Sequence, residues 1–461
     1  MLTLIIVVFV LGYLGIAFEH SLRINKTAIA IVTGVLCWTL FMVSSPEEKL
    51  LQSPAYANFL AIRGVENDHT LNTEITPIEL HREFVTFSLS EHLAEISQIL
   101  FFLLGAMTIV ELVDAHHGFR LITDRIKTRN PRTLLWLVCW IAFFLSSILD
   151  NLTTTIVMVS LLRKLIPDKE TKLFFASMVV IAANAGGAWT PIGDVTTTML
   201  WIGGQITSLN IMKMLFVPSA ICLMAPLLVL GITMKHSFNT LTASQPTVDR
   251  PPTLHGKVML FAGVGALISV PVFKTFTHMP PYTGILLGLG ILWIISELLN
   301  PEKDEASRKH YTVAGALQRV DVPSVLFFLG ILLAVSALET MQVLQHFAQT
   351  LEQTFGDQRI IVTLIGLLSA IVDNVPLVAA TMGMYDLSVY PPDHMVWEYL
   401  AYCAGTGGSL LIIGSAAGVA VMGMEKVDFI WYLKRISLLA LIGYASGAAA
   451  YILIERYLIH V

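Results

Sequence analysis

Ten apolar stretches recur along the 461 residues, and each is long enough, or nearly so, to cross a lipid bilayer. A membrane span needs about 20 mainly apolar residues, with about 17 as the lower limit. Only 13% of the residues are charged, whereas a soluble domain carries about one quarter. The chain is therefore predicted to be an all-α polytopic membrane protein. The predicted spans are 2–18, 27–43, 94–114, 173–200, 211–234, 257–272, 283–299, 322–341, 397–424 and 436–454.

Composition also excludes several kinds of partner. The net charge of -5 provides no basic face for a nucleic acid. The four cysteines are widely spaced within apolar runs and form no CxxC or Cys/His cluster, so we expect neither a disulfide framework nor a zinc site, and no cofactor. Residues 2–18 lack a basic leading segment and a cleavage site, so they are predicted to be a retained span and not a signal peptide.

Two further apolar stretches, 133–165 and 360–388, carry an Asp-Asn pair in the middle. Basic residues flank the first stretch on both sides, which places both of its ends on the cytoplasmic face. The flanks of the second stretch, 342–358 and 389–396, contain no Lys or Arg and are predicted to be external. Each stretch is therefore predicted to be a re-entrant hairpin with arms about half a bilayer deep and the Asp-Asn pair at its tip.

The distribution of basic residues supports this topology. Of the 28 Lys and Arg residues, 21 fall in six loops that share one face if ten spans and two hairpins are assumed. Both chain termini are then external, as is the acidic segment 44–92. The six loops are 19–26, 116–132, 163–172, 235–257, 300–321 and 425–435.

The two halves of the chain repeat each other. SSILDN at 146–151 matches SAIVDN at 369–374, and AGGAWTPIGD at 185–194 matches TGGSLLIIGS at 406–415. Because an odd number of crossings separates the copies, they have opposite orientations, which is typical of secondary transporters. The predicted divisions are N-terminal spans and the acidic segment (1–92), a first repeat (93–234), a cytoplasmic linker (235–257), connecting spans (258–321) and a second repeat (322–461).

Both halves also contain a broken span. Residues 184–194 include three glycines and Pro191, and Gly405, Gly407, Gly408 and Gly414 occupy the matching region. Non-helical backbone at membrane depth persists only beside protein or a wet cavity. We therefore expect two hairpin tips and two helix breaks to meet near the middle of the membrane.

Carboxylate, amide and hydroxyl groups concentrate at these four places. Oxygen ligands suit a hard cation such as Na⁺, and the absence of Lys and Arg from these segments argues against a polyanion site. Because ionisable residues inside a membrane are costly, they are candidate functional residues. The residues are Asp150, Asn151, Thr153, Thr154, Asp194, Thr196–Thr198, Asp373, Asn374, Thr406, Ser409 and Ser415.

Some of these residues have a structural alternative. Asp194 could instead cap a helix that restarts at Val195. Glu95 and Glu111 bracket an apolar span and could either reach the membrane surface or relay protons. His116 and His117 are read as solvated loop residues, with pH sensing as the alternative.

The paired motifs SSILDN…GGAWTPIGD and SAIVDN…GTGGSLLIIGSAAG resemble those of the NhaD-type sodium/proton antiporters of the ion transporter superfamily. The resemblance implies a homodimer in a bacterial inner membrane, elevator-like movement, and exchange of external H⁺ for cytoplasmic Na⁺ and often Li⁺, in the service of pH homeostasis and salt tolerance. Its implied Na⁺/H⁺ site residues are Ser146, Asp150, Asn151, Asn184, Asp194, Thr196, Thr197, Ser369, Asp373, Asn374, Ser409 and Glu95. Na⁺ itself is assigned to Asp150, Asn151, Asp194, Asp373 and Asn374.

The predicted function is therefore secondary antiport and not enzymatic catalysis. A Na⁺-coupled dicarboxylate or oxyanion transporter of the same fold is the alternative, although its Ser-Asn-Thr hairpin tips are replaced here by Asp-Asn. An intramembrane aspartyl protease fits less well, because Pro191 replaces the first glycine of a GxGD signature. A channel is disfavoured because re-entrant tips on both sides suit alternating access.

Overall fold

The protein is described by a computed structural model that covers residues 1–17, 19–45, 48–51, 53–63, 76–123, 126, 128, 130–233, 254–299 and 311–458. All regular secondary structure in these ranges is helical. The helices are Leu2–Ala17, Glu19–Leu22, Lys26–Val43, Glu48–Leu51, Pro54–Arg63, Pro77–Ala115, Arg120–Thr123, Pro131–Leu149, Asn151–Leu165, Lys169–Gly187, Val195–Ile202, Ser208–Thr233, Leu254–Thr277, Pro281–Leu299, Val313–Leu317, Val322–Thr340, Val343–Phe355, Gln358–Leu368, Asn374–Met384, Met395–Gly407, Ala416–Glu425, Phe429–Arg435 and Ser437–Leu458.

Eight helices in the described ranges are long and apolar enough to cross a membrane, which confirms the polytopic all-α class. Two predicted spans are interrupted, as the glycine-rich motifs indicated. The span 173–200 divides into Lys169–Gly187 and Val195–Ile202, and the span 397–424 divides into Met395–Gly407 and Ala416–Glu425.

Two predicted lengths differ from the structure. The span predicted to begin at residue 94 belongs to a 39-residue helix that begins at Pro77, because hydropathy marks only the apolar part of a continuous helix. The first hairpin is longer than predicted: Pro131–Leu149 has 19 residues, which is about 28 Å of helix and not half a bilayer. Asn130 caps this helix and Pro131 starts it, ahead of the apolar run.

The second hairpin has the predicted depth. Its arms, Gln358–Leu368 and Asn374–Met384, have 11 residues each, or about 16 Å of helix. Most of the predicted linker 235–257 and residues 300–310 of the loop 300–321 lie outside the described residues. The repeat boundaries remain a prediction.

Contacts divide the chain into two compact units. The first comprises Met1–Leu100, Asp321–Gly356 and Ala379–Val389, in which helix Lys26–Val43 packs along Val322–Thr340. Gly34 and Gly330 allow this close approach, because a Cβ atom on Gly34 would lie 2.5 Å from the Gly330 carbonyl oxygen. The indole of Trp38 also donates to the carbonyl of Leu333 at 2.8 Å.

The second unit comprises Phe101–Val320, Asp357–Val378 and Tyr390–Val461. It contains the first hairpin, both interrupted spans and the tip of the second hairpin. Helix Lys169–Gly187 is buried over most of its length and packs on the first hairpin helix, Pro131–Leu149. This arrangement brings the predicted polar motifs into one unit.

Contacts between loops of the second unit agree with the membrane faces to which these loops were assigned from the sequence. Glu425 accepts a hydrogen bond from Arg163 Nε at 2.5 Å and lies 3.7 Å from Lys172 Nζ, which joins the basic loops 163–172 and 425–435. At the ends of the second hairpin, Gln358 Nε2 donates to Tyr390 Oη at 2.5 Å. The two ends of the second hairpin therefore lie next to each other.

Candidate functional site

The first hairpin tip turns at Asp150, which separates helices Pro131–Leu149 and Asn151–Leu165. Its backbone has φ 81° and ψ 161°, a conformation that is essentially restricted to glycine. The carboxylate compensates by accepting hydrogen bonds from the Thr153 N–H at 2.8 Å and from the Thr153 hydroxyl at 2.9 Å. Strained backbone of this kind occurs mainly at functional sites.

The first helix break lies between Gly187 and Val195. The Asp194 side chain accepts a hydrogen bond from the Thr196 N–H at 3.1 Å and so caps the helix that restarts at Val195. The break is compact, because a Cβ atom on Gly187 would lie 2.4 Å from the carbonyl oxygen of Gly193. Asp194 therefore has the capping role considered from the sequence, and its second carboxylate oxygen remains available to other groups.

The second helix break repeats this geometry with a hydroxyl in place of the carboxylate. Ser415 caps helix Ala416–Glu425 and accepts a hydrogen bond from the Gly418 N–H at 3.2 Å. A Cβ atom on Gly408 would lie 2.7 Å from the Gly414 carbonyl oxygen. The offset from 194 to 415 is 221, the same as from 187 to 408, so Ser415 is the counterpart of Asp194.

Matching contacts hold each hairpin against its broken span. The hydroxyl of Ser146 donates to the Ala183 carbonyl at 2.6 Å, and that of Ser369 donates to the Ala404 carbonyl at 3.1 Å. Both serines were predicted site residues, and the structure places them in this anchoring role. The correspondence of these contacts supports the two-repeat architecture.

Glycine at 186 and 407 is required by the same packing. A Cβ atom on Gly186 would lie 2.1 Å from the Phe143 carbonyl oxygen, and one on Gly407 would lie 2.0 Å from the Gly366 carbonyl oxygen. We expect Gly186→Ala and Gly407→Ala each to lower the free energy of unfolding by about 1–3 kcal/mol, because backbone must move apart.

The matched control is Gly231→Ala, since nothing lies within 4 Å of the position its Cβ would take. Thermal unfolding of the detergent-solubilised variants measures the effect. Equal midpoints for all three alanine variants would show that the close contacts are absent.

A buried hydrogen-bond network joins elements of both repeats. Asn151 Nδ2 donates to Asn184 Oδ1 at 3.1 Å and to Asp194 Oδ2 at 2.9 Å. Asn184 Nδ2 donates to the hydroxyl oxygens of Ser409 and Ser415, both at 2.9 Å. All five side chains are at most 3% exposed. The first hairpin tip, the first broken span and the second break therefore share one polar centre.

The other predicted residues lie around this network. Asp150 and Asp373 are close enough for their charges to act on Asp194. The amide Nδ2 of Asn374 is buried without a hydrogen-bond partner among the described residues. An orphaned buried donor of this kind is typical of a site that receives water or a ligand.

Three other residues predicted for the ion site are not members of the five-residue network. Thr196 and Thr197 are fully buried in the first turn of the restarted helix, where the Thr197 hydroxyl donates to the Asp194 carbonyl at 2.9 Å. Glu95 belongs to the first unit, is largely exposed and pairs with His92 at 3.7 Å, so its assignment to the ion site remains a prediction.

The structure adds residues that were not singled out as ion-site residues. Ser415, one of the candidate polar residues of the second break but not among the residues assigned to the ion site, is a full member of the network. Tyr432 is fully buried and donates its hydroxyl to the Ser409 carbonyl at 2.8 Å. Thr190 donates to the Ser147 carbonyl at 2.7 Å and ties the first break to the first hairpin. Tyr432 lies outside the repeated motifs, so no sequence pattern indicated that it contacts the site.

This centre is suited to a monovalent cation or a proton. Within the described part of the chain, no lysine, arginine or histidine takes part in its hydrogen bonds, and Asp194 supplies a carboxylate that contacts neutral amide and hydroxyl groups. No group of three or more His, Cys, Asp or Glu side chains placed to hold a metal was found in the described ranges.

Comparison with known proteins gives similar chains in plants and bacteria. Sodium/proton antiporter 1 of Arabidopsis thaliana is 49% identical over 97% of this chain and 72% of its own length. Sodium/proton antiporter 2 of the same plant is 46% identical over 97% and 99%. The Na(+)/H(+) antiporter NhaD of Vibrio cholerae is 29% identical over 98% and 91%.

The fold is also similar to a solved structure, that of the Alcanivorax borkumensis YdaH transporter. The TM-score is 0.56 at 11% identity, over 92% of this chain and 98% of the other. The family model of the citrate transporters (CitMHS) matches residues 6–405. These proteins are named as transporters, which confirms that this chain is not an enzyme. The chain belongs to the citrate transporter (CitMHS) family and is similar, over nearly its whole length, to sodium/proton antiporters that include those of the NhaD type.

Proposed function

We propose that the protein is a secondary antiporter that exchanges cytoplasmic Na⁺, and also Li⁺, for external H⁺. The observation that carries this proposal is the Asp194 carboxylate, which is buried, is linked through Asn151 and Asn184 to Ser409 and Ser415, and has no basic partner among the residues that the structure describes. A buried carboxylate in such surroundings needs either a proton or a cation. The names of the relatives agree with these two substrates.

In the proposed cycle, Asp194 accepts a proton when the centre is open to the outside. When the centre opens to the cytoplasm, loss of that proton leaves a carboxylate that Na⁺ binds together with amide and hydroxyl oxygens. Asp150 and Asp373 favour cation entry, because their negative charges act on the same centre. Since one carboxylate holds either species, the two ions compete for it, and exchange is obligatory if the centre changes sides only with one of them bound.

The proposed membrane, oligomeric state and movement of the protein are those predicted from the sequence. The protein acts as a homodimer in a bacterial inner membrane, with both termini external, and alternating access occurs by elevator-like movement. Contacts between the loops 163–172 and 425–435 support placing these basic loops on one face. The cellular role is pH homeostasis and salt tolerance.

A Na⁺-coupled carboxylate transporter is the second candidate, because the matching family model is described as a citrate transporter. Recognition of a polycarboxylate is usually provided by Arg or Lys side chains. The hydrogen-bond network of this centre contains neither residue, which favours the cation substrate. Uptake of labelled citrate or succinate into proteoliposomes, with no response of the proton gradient, would select this alternative.

The direct test is reconstitution of the purified protein into proteoliposomes with an imposed ΔpH and a fluorescent pH-gradient dye. We expect Na⁺ or Li⁺, but not K⁺ at equal ionic strength, to collapse the gradient. Protein-free vesicles and vesicles given citrate as the N-methylglucamine salt are the controls. If Na⁺ leaves the gradient intact at every pH from about 7 to about 9.5, the proposal is wrong.

A further inference from the structure

A second buried carboxylate, Glu398, lies in the same unit but outside the network. It occupies the first turn of helix Met395–Gly407, the half of the interrupted span that leads to the second break. Glu398 is only 1% exposed. No salt bridge to it occurs within the described part of the chain. Glutamate is almost never fully buried without a charged partner, so this position requires an explanation.

Two neutral groups hold the carboxylate from neighbouring helices. Asn210 Nδ2, at the start of helix Ser208–Thr233, donates to Oε1. Tyr451 Oη, on helix Ser437–Leu458, donates to Oε2 at 2.6 Å. Each carboxylate oxygen therefore has one donor, but neither donor carries a positive charge.

Two other carboxylates act on Glu398 through their charges. Asp393 and Glu455 both act on Glu398 as like charges. The guanidinium that could offset them, Arg359, is bound to both oxygens of Glu455 at 2.9 and 3.0 Å. The titratable side chains around the cluster are Asp393, His394, Tyr399, Tyr451, Glu455 and Arg359.

The hydroxyl of Tyr451 has a second acceptor within reach. Tyr451 Oη lies 3.4 Å from the carbonyl oxygen of Met395, one turn before Glu398. When Glu398 is ionised, the tyrosine donates to its carboxylate. When Glu398 is protonated, the new O–H can donate to Tyr451 Oη, and the tyrosine hydrogen can turn to the Met395 carbonyl. Both protonation states are then fully hydrogen-bonded without backbone movement.

We propose that Glu398 is a proton-binding site separate from the Na⁺ centre, and that Tyr451 is the positioning residue that allows its buried carboxyl to gain and lose one proton. The proton comes from water at the N-terminal end of helix Met395–Gly407. Since the predicted topology places residues 389–396 outside, Glu398 responds to the external pH. The carboxyl gains one proton and one positive charge, and no other bond changes.

Protonation has a structural consequence for the transport unit. Glu398 connects helix Met395–Gly407 with two other helices through Asn210 and Tyr451, and the same helix ends beside Ser409 of the polar centre. Neutralising the carboxyl replaces the charge-assisted hydrogen bonds to Asn210 and Tyr451 with hydrogen bonds between neutral groups, which are about half as strong. We infer that proton binding at Glu398 loosens the external half of this span and sets the external pH dependence of exchange.

Infrared difference spectroscopy of the full-length protein tests the site without using transport. When the pH is lowered from about 9 to about 5, we expect the C=O band of a buried carboxylic acid to appear in the unmodified protein. This band should be absent from Glu398→Gln. It should be retained in the control variant Glu91→Gln, because Glu91 is exposed. In Tyr451→Phe the band should persist, with its midpoint moved to higher pH by about one unit, because the ionised form loses a donor. An unchanged spectrum in Glu398→Gln would overturn the proposal.

If Glu398→Gln fails to fold, Tyr451→Phe provides the test. An unchanged midpoint pH of the carboxylic acid band in Tyr451→Phe would also contradict the proposal. The functional part rests on the proposed Na⁺/H⁺ exchange. In proteoliposomes with separately set internal and external pH, Glu398→Gln should lose one step of the external pH profile only. A carboxylic acid band in a protein that exchanges no Na⁺ would refute the antiport function but retain the proton site.

Discussion

Replacement of Asp194 by Asn is expected to reduce Na⁺-dependent proton exchange by about 100-fold or more while leaving the fold intact. Asparagine caps a helix as well as aspartate does, so the hydrogen bond to the Thr196 N–H is retained. The carboxylate that binds either a proton or Na⁺ is lost. Removing one charge from a buried ion pair costs about 3–5 kcal/mol, which corresponds to this loss of affinity.

The matched control is Asp168→Asn. Asp168 also caps a helix, Lys169–Gly187, by accepting a hydrogen bond from the Thr171 N–H at 2.8 Å, but it is exposed. Hydrogen bonds from the side chain and backbone of Thr171 lower the pKa of Asp168, so it remains ionised through the working pH range. Dequenching of a ΔpH dye on addition of Na⁺ compares the two. Equal exchange in both variants would remove Asp194 from the site.

The second large effect is expected from Asn184→Ala. This change removes the donor to Ser409 and Ser415 and the acceptor for Asn151, and leaves three buried polar groups with one partner fewer. Each buried polar group that loses its partner costs about 1–3 kcal/mol. We expect both a clear loss of thermal stability and the loss of exchange.

A double-mutant cycle that combines Asn184→Ala with Ser415→Ala tests whether the two residues act through their shared hydrogen bond. The two residues belong to different repeats and share one hydrogen bond, so their effects on the free energy of unfolding should be non-additive by about 0.5–3 kcal/mol. Asn184→Ala combined with Asp168→Asn should be additive within about 0.5 kcal/mol. Additivity in the first pair as well would contradict a network shared by the repeats.

The sequence predicted the parts of the site that have a physical signature in a membrane. Asp-Asn pairs within apolar stretches and glycine-proline breaks are costly in lipid, so they stand out without any structural information. The same reasoning singled out Asp150, Asn151 and Asp194 as candidate residues and identified the offset between the repeats. The structural alternative for Asp194, capping of a helix that restarts at Val195, is what the structure shows.

Other features depend on contacts that no local pattern encodes. Asn184 matches Gly405 in the second repeat, so symmetry gives no reason for its role as a bridge to Ser409 and Ser415. Glu398 was not singled out, because one glutamate at the end of an apolar run resembles a residue at the membrane surface. Its burial follows from packing against helices distant in the sequence.

Helix lengths illustrate the same limit. Hydropathy locates the apolar portion of a helix, whereas capping residues determine where it begins. Asn130 therefore lengthens the first hairpin, and the helix that begins at Pro77 has a polar first part with Glu79 hydrogen-bonded to Thr76. The membrane depth of a segment cannot be read from its apolar run alone.

The central claim is that two oppositely oriented repeats, each with a re-entrant hairpin, share one polar centre. Single-cysteine accessibility in intact and everted vesicles tests it most directly, because the four native cysteines are all buried. We expect cysteines at Thr133 and Asp168, at the two ends of the first hairpin, to react only from the cytoplasmic side. Cysteines at Gly356 and Ser388, at the two ends of the second hairpin, should react only from the external side. Labelling of positions 133 and 168 from opposite sides would contradict the account.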